Sequence, residues 1–174
     1  MNLSNFCNHL ALALGAITVE PSGFERVIGL AKAARNAGAK VIFVGNGGSA
    51  AIASHMAIDW LNKGHFGTLC LNDGAALTCI ANDYGYDNVF RYQLKHNARV
   101  GDLLFAISSS GRSKNIIDAA TYIGGFDVVT LSGFEQDNPL RKLGGVNFHV
   151  PSRSYPIVEN VHMAILHALL EAVR

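Results

Sequence analysis

Four residues on two predicted helices carry the side chains of this sequence that are best suited to chemistry. His55 and Asp59 are four positions apart, so they share one face of a helix. Glu159 and His167 recur in the last predicted helix, where 100° per residue sets them about 80° apart. Burying such groups without partners is costly. Two carboxylates and two imidazoles brought together would form a divalent-metal site or an acid–base cluster.

A structural interpretation of the same residues stays open. Pairs at i and i+4 occur on any helix, so His55 and Asp59 could form an ordinary solvent-facing pair or include a satisfied buried histidine. His162 projects from another side of the last helix than Glu159 and His167. We therefore interpret His162 as a structural histidine.

Two loops of small residues follow apolar strands and could bind an anion. The run GNGGSA at 45–50 ends the apolar stretch 41–44, and SSSGRS at 108–113 ends the stretch 102–107. Glycines allow close backbone approach, while hydroxyls and first-turn N–H groups can donate to a phosphate. Serines at helix starts also serve as local caps, which is the competing interpretation. Two such loops at one sheet edge favour ligand binding.

The glycine turn is not a nucleotide motif. Its spacing lacks G-x-G-x-x-G, and no Gly-Lys-Ser/Thr ending follows, so no nucleotide cofactor is expected.

A polar stretch at 82–87 interrupts an apolar chain, and we predict it to be a loop. Turn chemistry alone could explain it, or it could contact a substrate.

The hydrophobic pattern predicts an α/β fold. Helices are predicted over residues 3–19, 22–36, 49–61, 75–81, 88–97, 114–123 and 155–173, and strands over 40–44, 68–71, 102–107, 127–131 and 146–150. Apolar strands that alternate with helices are typical of a parallel sheet covered on both faces. We predict one domain over 1–174 with a five-stranded sheet in flavodoxin-like order. The helices within 1–37 precede the α/β core of 38–174 and could supply a subunit interface.

Composition narrows the class of protein. The 174 residues are 49% hydrophobic and 16% charged, which suggests surface covered by other subunits. The net charge of +1, with no basic block, gives no sign of a nucleic-acid partner. No apolar run approaches the length of a membrane span, and no signal peptide is recognisable. The three cysteines lack metal-ligand spacing, so we expect reduced, mostly buried thiols in a cytoplasmic protein.

Several motifs in order resemble the phosphoheptose isomerase group of sugar isomerase (SIS) domains. They are GNGGSA at 45–50, IANDYG at 80–85, the stretch 101–113, and a closing helix in which Glu159, His162 and His167 recur. The resemblance covers the chain from about residue 5 to its end. It implies a flavodoxin-like SIS fold, a homotetramer with active sites at subunit interfaces, and conversion of sedoheptulose 7-phosphate to D-glycero-D-manno-heptose 7-phosphate through an enediol.

The resemblance also implies a role for each site residue. The phosphate would be held by Ser108, Ser109, Ser110 and Ser113. The sugar would be lined by Asn46, Gly47, Ser49, Asn82, Asp83 and Glu159. Asp59 would be the general base with His167 as its partner, and zinc would be bound by His55, Asp59, Glu159 and His167.

The sequence departs from the family pattern where proton transfer and metal binding would occur. Asp59 replaces a glutamate, Glu159 replaces a glutamine, and Ile157 stands where an arginine is usual. We interpret these as coupled changes, which could also indicate a different sugar phosphate. Relatives of this family include non-catalytic tetrameric adaptors of the replication-initiator-associating type and sugar-phosphate-sensing domains. These form the alternative to an enzyme.

Overall fold

The computed structural model describes residues 2–174 and contains one five-stranded sheet. Every strand pairs in parallel, in the spatial order β2-β1-β3-β4-β5, which confirms the predicted flavodoxin-like arrangement. The strands are β1 Lys40–Gly45, β2 Gly67–Cys70, β3 Leu103–Ser108, β4 Asp127–Gly133 and β5 Val146–Val150. The direction of winding reverses between β1 and β3. A crevice therefore opens outside the carboxyl ends of these two strands, where ligands bind in such sheets.

Seven α-helices cover the sheet over the described part of the chain. They are α1 Leu3–Gly15, α2 Gly23–Asn36, α3 Gly48–Gly64, α4 Gly74–Tyr84, α5 Val89–Asn97, α6 Lys114–Ala120 and α7 Tyr155–Val173. Alternate strand residues face opposite layers. Val41 and Phe43 pack with α2, α3 and α7, whereas Ile42 and Val44 pack with α4, α5 and α6. The result is the predicted three-layer sandwich.

The helix predicted over 3–19 is shorter in the structure. It ends at Gly15, and Thr18 instead pairs with His149 of the edge strand β5 through two backbone hydrogen bonds of 2.9 and 2.8 Å. This antiparallel bridge covers part of the edge of β5. Backbone groups at a sheet edge are open to pairing, so the segment after α1 is used for that purpose rather than for another helical turn.

Helix α7 is the long closing helix that the sequence predicts, with the same limits. By length and composition it could cross a membrane, yet half of its apolar window is buried in the fold. Packing against α1, α2, α3 and the sheet accounts for the apolar character of its buried face. The prediction of mostly buried thiols is wrong, because Cys7 and Cys79 are exposed and Cys70 is half-buried; all three are free.

Candidate active site

The serine loop, residues 108–113, is held in place by contacts within the chain. The Ser108 hydroxyl donates to Ser113 Oγ at 3.2 Å. Gly111 has a φ of +63°, and a Cβ there would overlap the side-chain amide of Asn138. The Ser109 hydroxyl is buried and has no hydrogen-bond partner among residues 2–174. An unpartnered buried hydroxyl in such a loop is a group available to a ligand.

The glycine turn after β1 closes onto helix α3. A Cβ on Gly45 would lie 2.4 Å from the Ser49 carbonyl oxygen, and Gly47 has a φ of +54°. A Cβ on Gly48 would come within 2.4 Å of the Glu159 carboxylate. The Glu159 carboxylate therefore rests against the first turn of α3, where the helix dipole favours a negative charge.

The two loops enclose a cavity of about 220 Å³. Eight of the residues predicted to bind substrate line it: Asn46, Gly47, Ser49, Ser108, Ser109, Ser110, Ser113 and Glu159. Tyr155 also lines the cavity, and no sequence motif indicated it. A larger cleft of about 610 Å³ lies at the other end of the sheet, but the carboxylate of Asp102 there is used by Lys40 and by backbone N–H groups. The smaller cavity is the better candidate for a ligand.

Asn82 and Asp83 lie outside this cavity. The predicted loop is wrong at these positions, because α4 continues through Tyr84 and ends at Gly85, which has a φ of +83°. The two side chains hydrogen-bond to each other at 2.9 Å on the last turn of that helix. Tyr86, the residue after Gly85, is the one that reaches the site, because its hydroxyl donates to Asn46 Oδ1 at 3.0 Å.

His55, Asp59 and His167 form a second group, which we call the histidine cluster. Asp59 Oδ2 lies 3.5 Å from His55 Nε2 and 3.9 Å from His167 Nδ1. The two imidazole rings meet edge to face, with centroids 5.5 Å apart. One potential ligand atom from each residue lies within 4.8 Å of the other two. The histidine side chains are 52% and 42% exposed, so the cluster opens to the outside of the chain.

Lys63 adds a cation to the histidine cluster. Its ammonium donates to Asp59 Oδ2 at 2.9 Å from the next turn of α3. This hydrogen bond is the main cause that lowers the pKa of the Asp59 carboxyl below its ordinary value, and the charge of Lys63, together with His55 and His167 when they are protonated, acts in the same direction. Asp59 is therefore a carboxylate at neutral pH, which is the form required of a metal ligand or of a general base.

Glu159 is not part of the histidine cluster within one chain. It precedes His167 by eight residues, which is about 12 Å along α7. The two residues do project from one side of the helix, but the rise between them places Glu159 at the cavity and His167 beside α3's later turns. The structure thus brings together three of the four predicted metal ligands.

Comparison with known proteins assigns the family. Residues 5–133 match the SIS domain family. A phosphoheptose isomerase from Helicobacter hepaticus is 35% identical over 178 residues, which covers 98% of this chain and 90% of that protein. The chain belongs to the SIS domain family, in its phosphoheptose isomerase group.

Solved SIS structures agree with this assignment. The phosphoheptose isomerase of Neisseria gonorrhoeae is 31% identical, with a TM-score of 0.79 over 88% of this chain and 86% of that one. The phosphoheptose isomerase of Francisella tularensis, 23% identical, shares the fold with a TM-score of 0.85 over 99% of this chain and 98% of that one. The resemblance deduced from the motifs is confirmed, as is the α/β class.

His162 has the structural role predicted for it in this SIS domain. It is fully buried, and its Nε2 lies 3.0 Å from the backbone oxygen of Ser132. Burial lowers the pKa of the His162 imidazole to about 4, so the ring is neutral at pH 7. Ser132 pairs in the sheet with Ser108, the first residue of the serine loop. His162 therefore stabilises the part of β4 that pairs with the first residue of the serine loop.

Proposed function

We propose that this chain isomerises a sugar phosphate between its ketose and aldose forms, with sedoheptulose 7-phosphate as the substrate. The observation that carries the proposal is the arrangement along α3. A cavity that contains the unpartnered Ser109 hydroxyl lies at its first turn, and a carboxylate flanked by two imidazoles lies on its later turns. Phosphoheptose isomerases are the relatives that match this chain over most of its length.

The serine loop would hold the phosphate group. Its hydroxyls include the unpartnered one of Ser109, and small-residue loops at this edge of a parallel sheet suit phosphate oxygens. The Glu159 carboxylate already occupies the first turn of α3, so a phosphate would be repelled from that position. The sugar would lie along Asn46, Gly47, Ser49 and Glu159, with Asn82 and Asp83 as predicted contacts at its far end.

Asp59 and His167 would carry out the proton transfers. In the ketose-to-aldose direction, Asp59 removes a proton from C1 while the C2 oxygen gains a proton from His167, which gives an enediol. The proton then returns to C2, the O1 proton leaves, and the aldose results. A carboxylate and an imidazole in contact with reacting atoms are suited to this exchange. Binding the phosphate at a fixed position would place C1 and C2 next to Asp59 and His167 in each turnover.

Zinc binding by His55, Asp59 and His167 is a further part of the proposal. Two imidazole nitrogens and a carboxylate oxygen suit this ion, and the separations of 3.5 and 3.9 Å are close to the roughly 3.4 Å edge of a tetrahedral zinc site. A fourth ligand would come from water, substrate or another copy of the chain. When bound, the ion would stabilise negative charge that develops on the substrate oxygens.

We further propose a homotetramer that works in the cytoplasm. Large apolar side chains are exposed on α1 and next to the histidine cluster on α3, among them Leu3, Leu12, Ile58 and Leu61. A surface of this kind is typical of an interface between subunits. The helices of residues 1–37 would form part of it, and the cluster of one subunit would face the cavity of its neighbour. Three free thiols are consistent with a reducing compartment.

Turnover of the proposed substrate is the first test. Purified protein loaded with zinc is incubated with sedoheptulose 7-phosphate, and aldose formation is followed with and without a chelator. We expect turnover that the chelator reduces. Binding without turnover in the zinc-loaded protein would favour the sensing or adaptor alternative.

Metal content is a separate measurement. Elemental analysis should find zinc near one ion per chain, His55→Ala should lose it, and His96→Ala should retain it because His96 packs against Tyr92 away from the cluster. Full zinc content in His55→Ala would contradict the ligand assignment.

Sharing of sites between subunits is tested by mixing two inactive variants. Asp59→Asn lacks the base, and Ser113→Ala lacks a phosphate contact. If each active site combines residues of two subunits, a 1:1 mixture regains about a quarter of the wild-type activity, because about half of the pairs are mixed and one of the two sites in each mixed pair is intact. No recovery on mixing would place each site within a single subunit.

A further inference from the structure

Asn46, at the end of β1, is held by a buried asparagine from another part of the chain. Asn46 Nδ2 donates to Asn115 Oδ1 at 2.9 Å, and Asn115 Nδ2 donates to Asn46 Oδ1 at 2.9 Å. The two amides therefore form a reciprocal pair. Asn115 lies in the first turn of α6 and is 2% exposed. The pair joins the glycine turn to the helix that follows the serine loop, across 69 positions of sequence.

Neighbouring groups fix the orientation of both amides. Asn115 Oδ1 also accepts the backbone N–H of Ile116 at 3.0 Å, which identifies that atom as the oxygen. The Tyr86 hydroxyl donates to Asn46 Oδ1 at 3.0 Å. Both lone pairs of Asn46 Oδ1 are thus used, and one N–H of its Nδ2 is left over. Asn46 lines the cavity beside the serine loop.

We propose that Asn115 and Tyr86 are positioning residues that make Asn46 a hydrogen-bond donor toward the sugar. An amide that could rotate freely would present its oxygen or its nitrogen to the ligand. The reciprocal pair and the tyrosine hydroxyl remove that choice, so the remaining N–H is offered to a hydroxyl or carbonyl oxygen of the sugar. This inference rests on the proposed function, because it needs a ligand that extends from the phosphate loop past Asn46.

A purely structural tie between the loops is the competing explanation. Such a tie would affect phosphate binding and sugar binding alike, because both loops would loosen together. A positioning role acts on the sugar end alone. It also acts only through Asn46, so removing Asn115 should have little further effect once Asn46 is gone.

The test compares two ligands across a set of variants. We measure kcat/KM and the Kd for sedoheptulose 7-phosphate, and the Kd for inorganic phosphate, in wild type, Tyr86→Phe, Asn115→Ala, Asn46→Ala and Asn46→Ala/Asn115→Ala. Loss of one hydrogen bond that orients a donor predicts about a tenfold fall in kcat/KM for Asn115→Ala, and a smaller fall for Tyr86→Phe. The Kd for phosphate should stay within about twofold, and the double variant should match Asn46→Ala.

Asn72→Ala is the matched control. Asn72 Nδ2 donates to the Gly45 carbonyl at 2.7 Å, so it supports the same turn without touching the Asn46 side chain. We expect it to leave the ratio of sugar-phosphate to phosphate affinity unchanged. A shift in that ratio as large as that of Asn115→Ala would overturn the inference, and so would multiplicative effects of Asn46 and Asn115.

The outcomes separate this inference from the proposed function. Wild type without turnover would defeat the isomerase proposal, and the ratio of the two Kd values would then still decide the positioning role. Wild type with turnover and unchanged Tyr86→Phe and Asn115→Ala variants would overturn the positioning role alone. Tyr86 is exposed, so Tyr86→Phe provides a variant expected to fold even if Asn115→Ala does not.

Discussion

The serine loop lies beside the first turn of α3 and the histidine cluster lies on later turns, and the two are built in opposite ways. The loop is closed by its own chain, through the Ser108–Ser113 hydrogen bond and the contact of Gly111 with Asn138. The cluster consists of side chains that open outward, with Ile58 and Leu61 exposed beside it. The binding end is therefore preorganised within one chain. The chemical end has the open surface expected of a site that a metal and a second subunit would complete.

The largest effect should come from the chemical end. Asp59→Asn keeps the size of the side chain but removes the proposed base, and we expect kcat to fall about 10³-fold. The Kd for inorganic phosphate should not change, because Asp59 would act at C1 and C2, at the opposite end of the sugar from the phosphate. Asp118→Asn is the matched control, since Asp118 pairs with Lys114 at 2.6 Å in the same i,i+4 manner. A parallel loss of phosphate affinity in Asp59→Asn would contradict the separation of the two ends.

Local features of both ends could be predicted from the sequence. The strands are continuous apolar runs, and the glycine and serine turns follow them directly. The cavity-lining residues from 46 to 49 and from 108 to 113 could therefore be predicted from the sequence pattern. The pairing of His55 with Asp59 follows from helical spacing alone. These predictions hold because they depend on neighbours in sequence.

The remaining features depend on distances that spacing does not supply. Helical angle correctly placed Glu159 and His167 on one side, but the axial rise puts Glu159 at the cavity. Asn82 and Asp83 have turn-forming side chains, yet α4 continues through them and ends only at Gly85. Asn115 carries no motif signal, because its partner Asn46 is 69 residues away. Long-range pairing of this kind requires the fold.

The second-largest effect concerns the pH dependence of the free energy of unfolding, which the buried imidazole of His162 should control. His162 is neutral in the fold with a pKa of about 4, against about 6.5 when unfolded. The unfolded chain therefore binds the extra proton between these values, and stability falls as the pH is lowered from 6.5 to 4. The expected loss is about 3 kcal/mol in the free energy of unfolding. Burial also lowers the pKa of His149, which adds to the slope in the same direction.

Urea unfolding at fixed protein concentration measures this dependence at pH 7, 5.5 and 4.5. His162→Gln keeps a hydrogen-bonding side chain but has no titrating group, so its slope between pH 6.5 and 4 should be shallower than that of wild type. His96→Ala, an exposed histidine, should leave the slope unchanged. An equally steep slope in His162→Gln would show that His162 does not control the acid sensitivity.

The third effect concerns the hydroxyls of the serine loop. Ser109 Oγ is buried without a partner within residues 2–174, whereas Ser108 Oγ is bonded to Ser113. Ser109→Ala should therefore weaken phosphate binding about tenfold without lowering the free energy of unfolding, since no internal hydrogen bond is lost. Ser108→Ala should lower both the affinity for phosphate and the free energy of unfolding. Isothermal titration with phosphate and urea unfolding distinguish the two patterns, and equal stability losses would show that Ser109 has a structural role.

The smallest effect probes the contact of Glu159 with Gly48, at the cavity end of α3. Gly48→Ala would place a methyl group where the Glu159 carboxylate rests, and the flexible glutamate can move away at a cost below about 1 kcal/mol. Moving a negative charge out of the cavity should strengthen phosphate binding about threefold, and Glu159→Gln should do the same by removing the charge. Gly29→Ala is the control, because a Cβ there meets nothing within 4 Å. Weaker phosphate binding in both site variants would mean that Glu159 organises the cavity instead of repelling the phosphate.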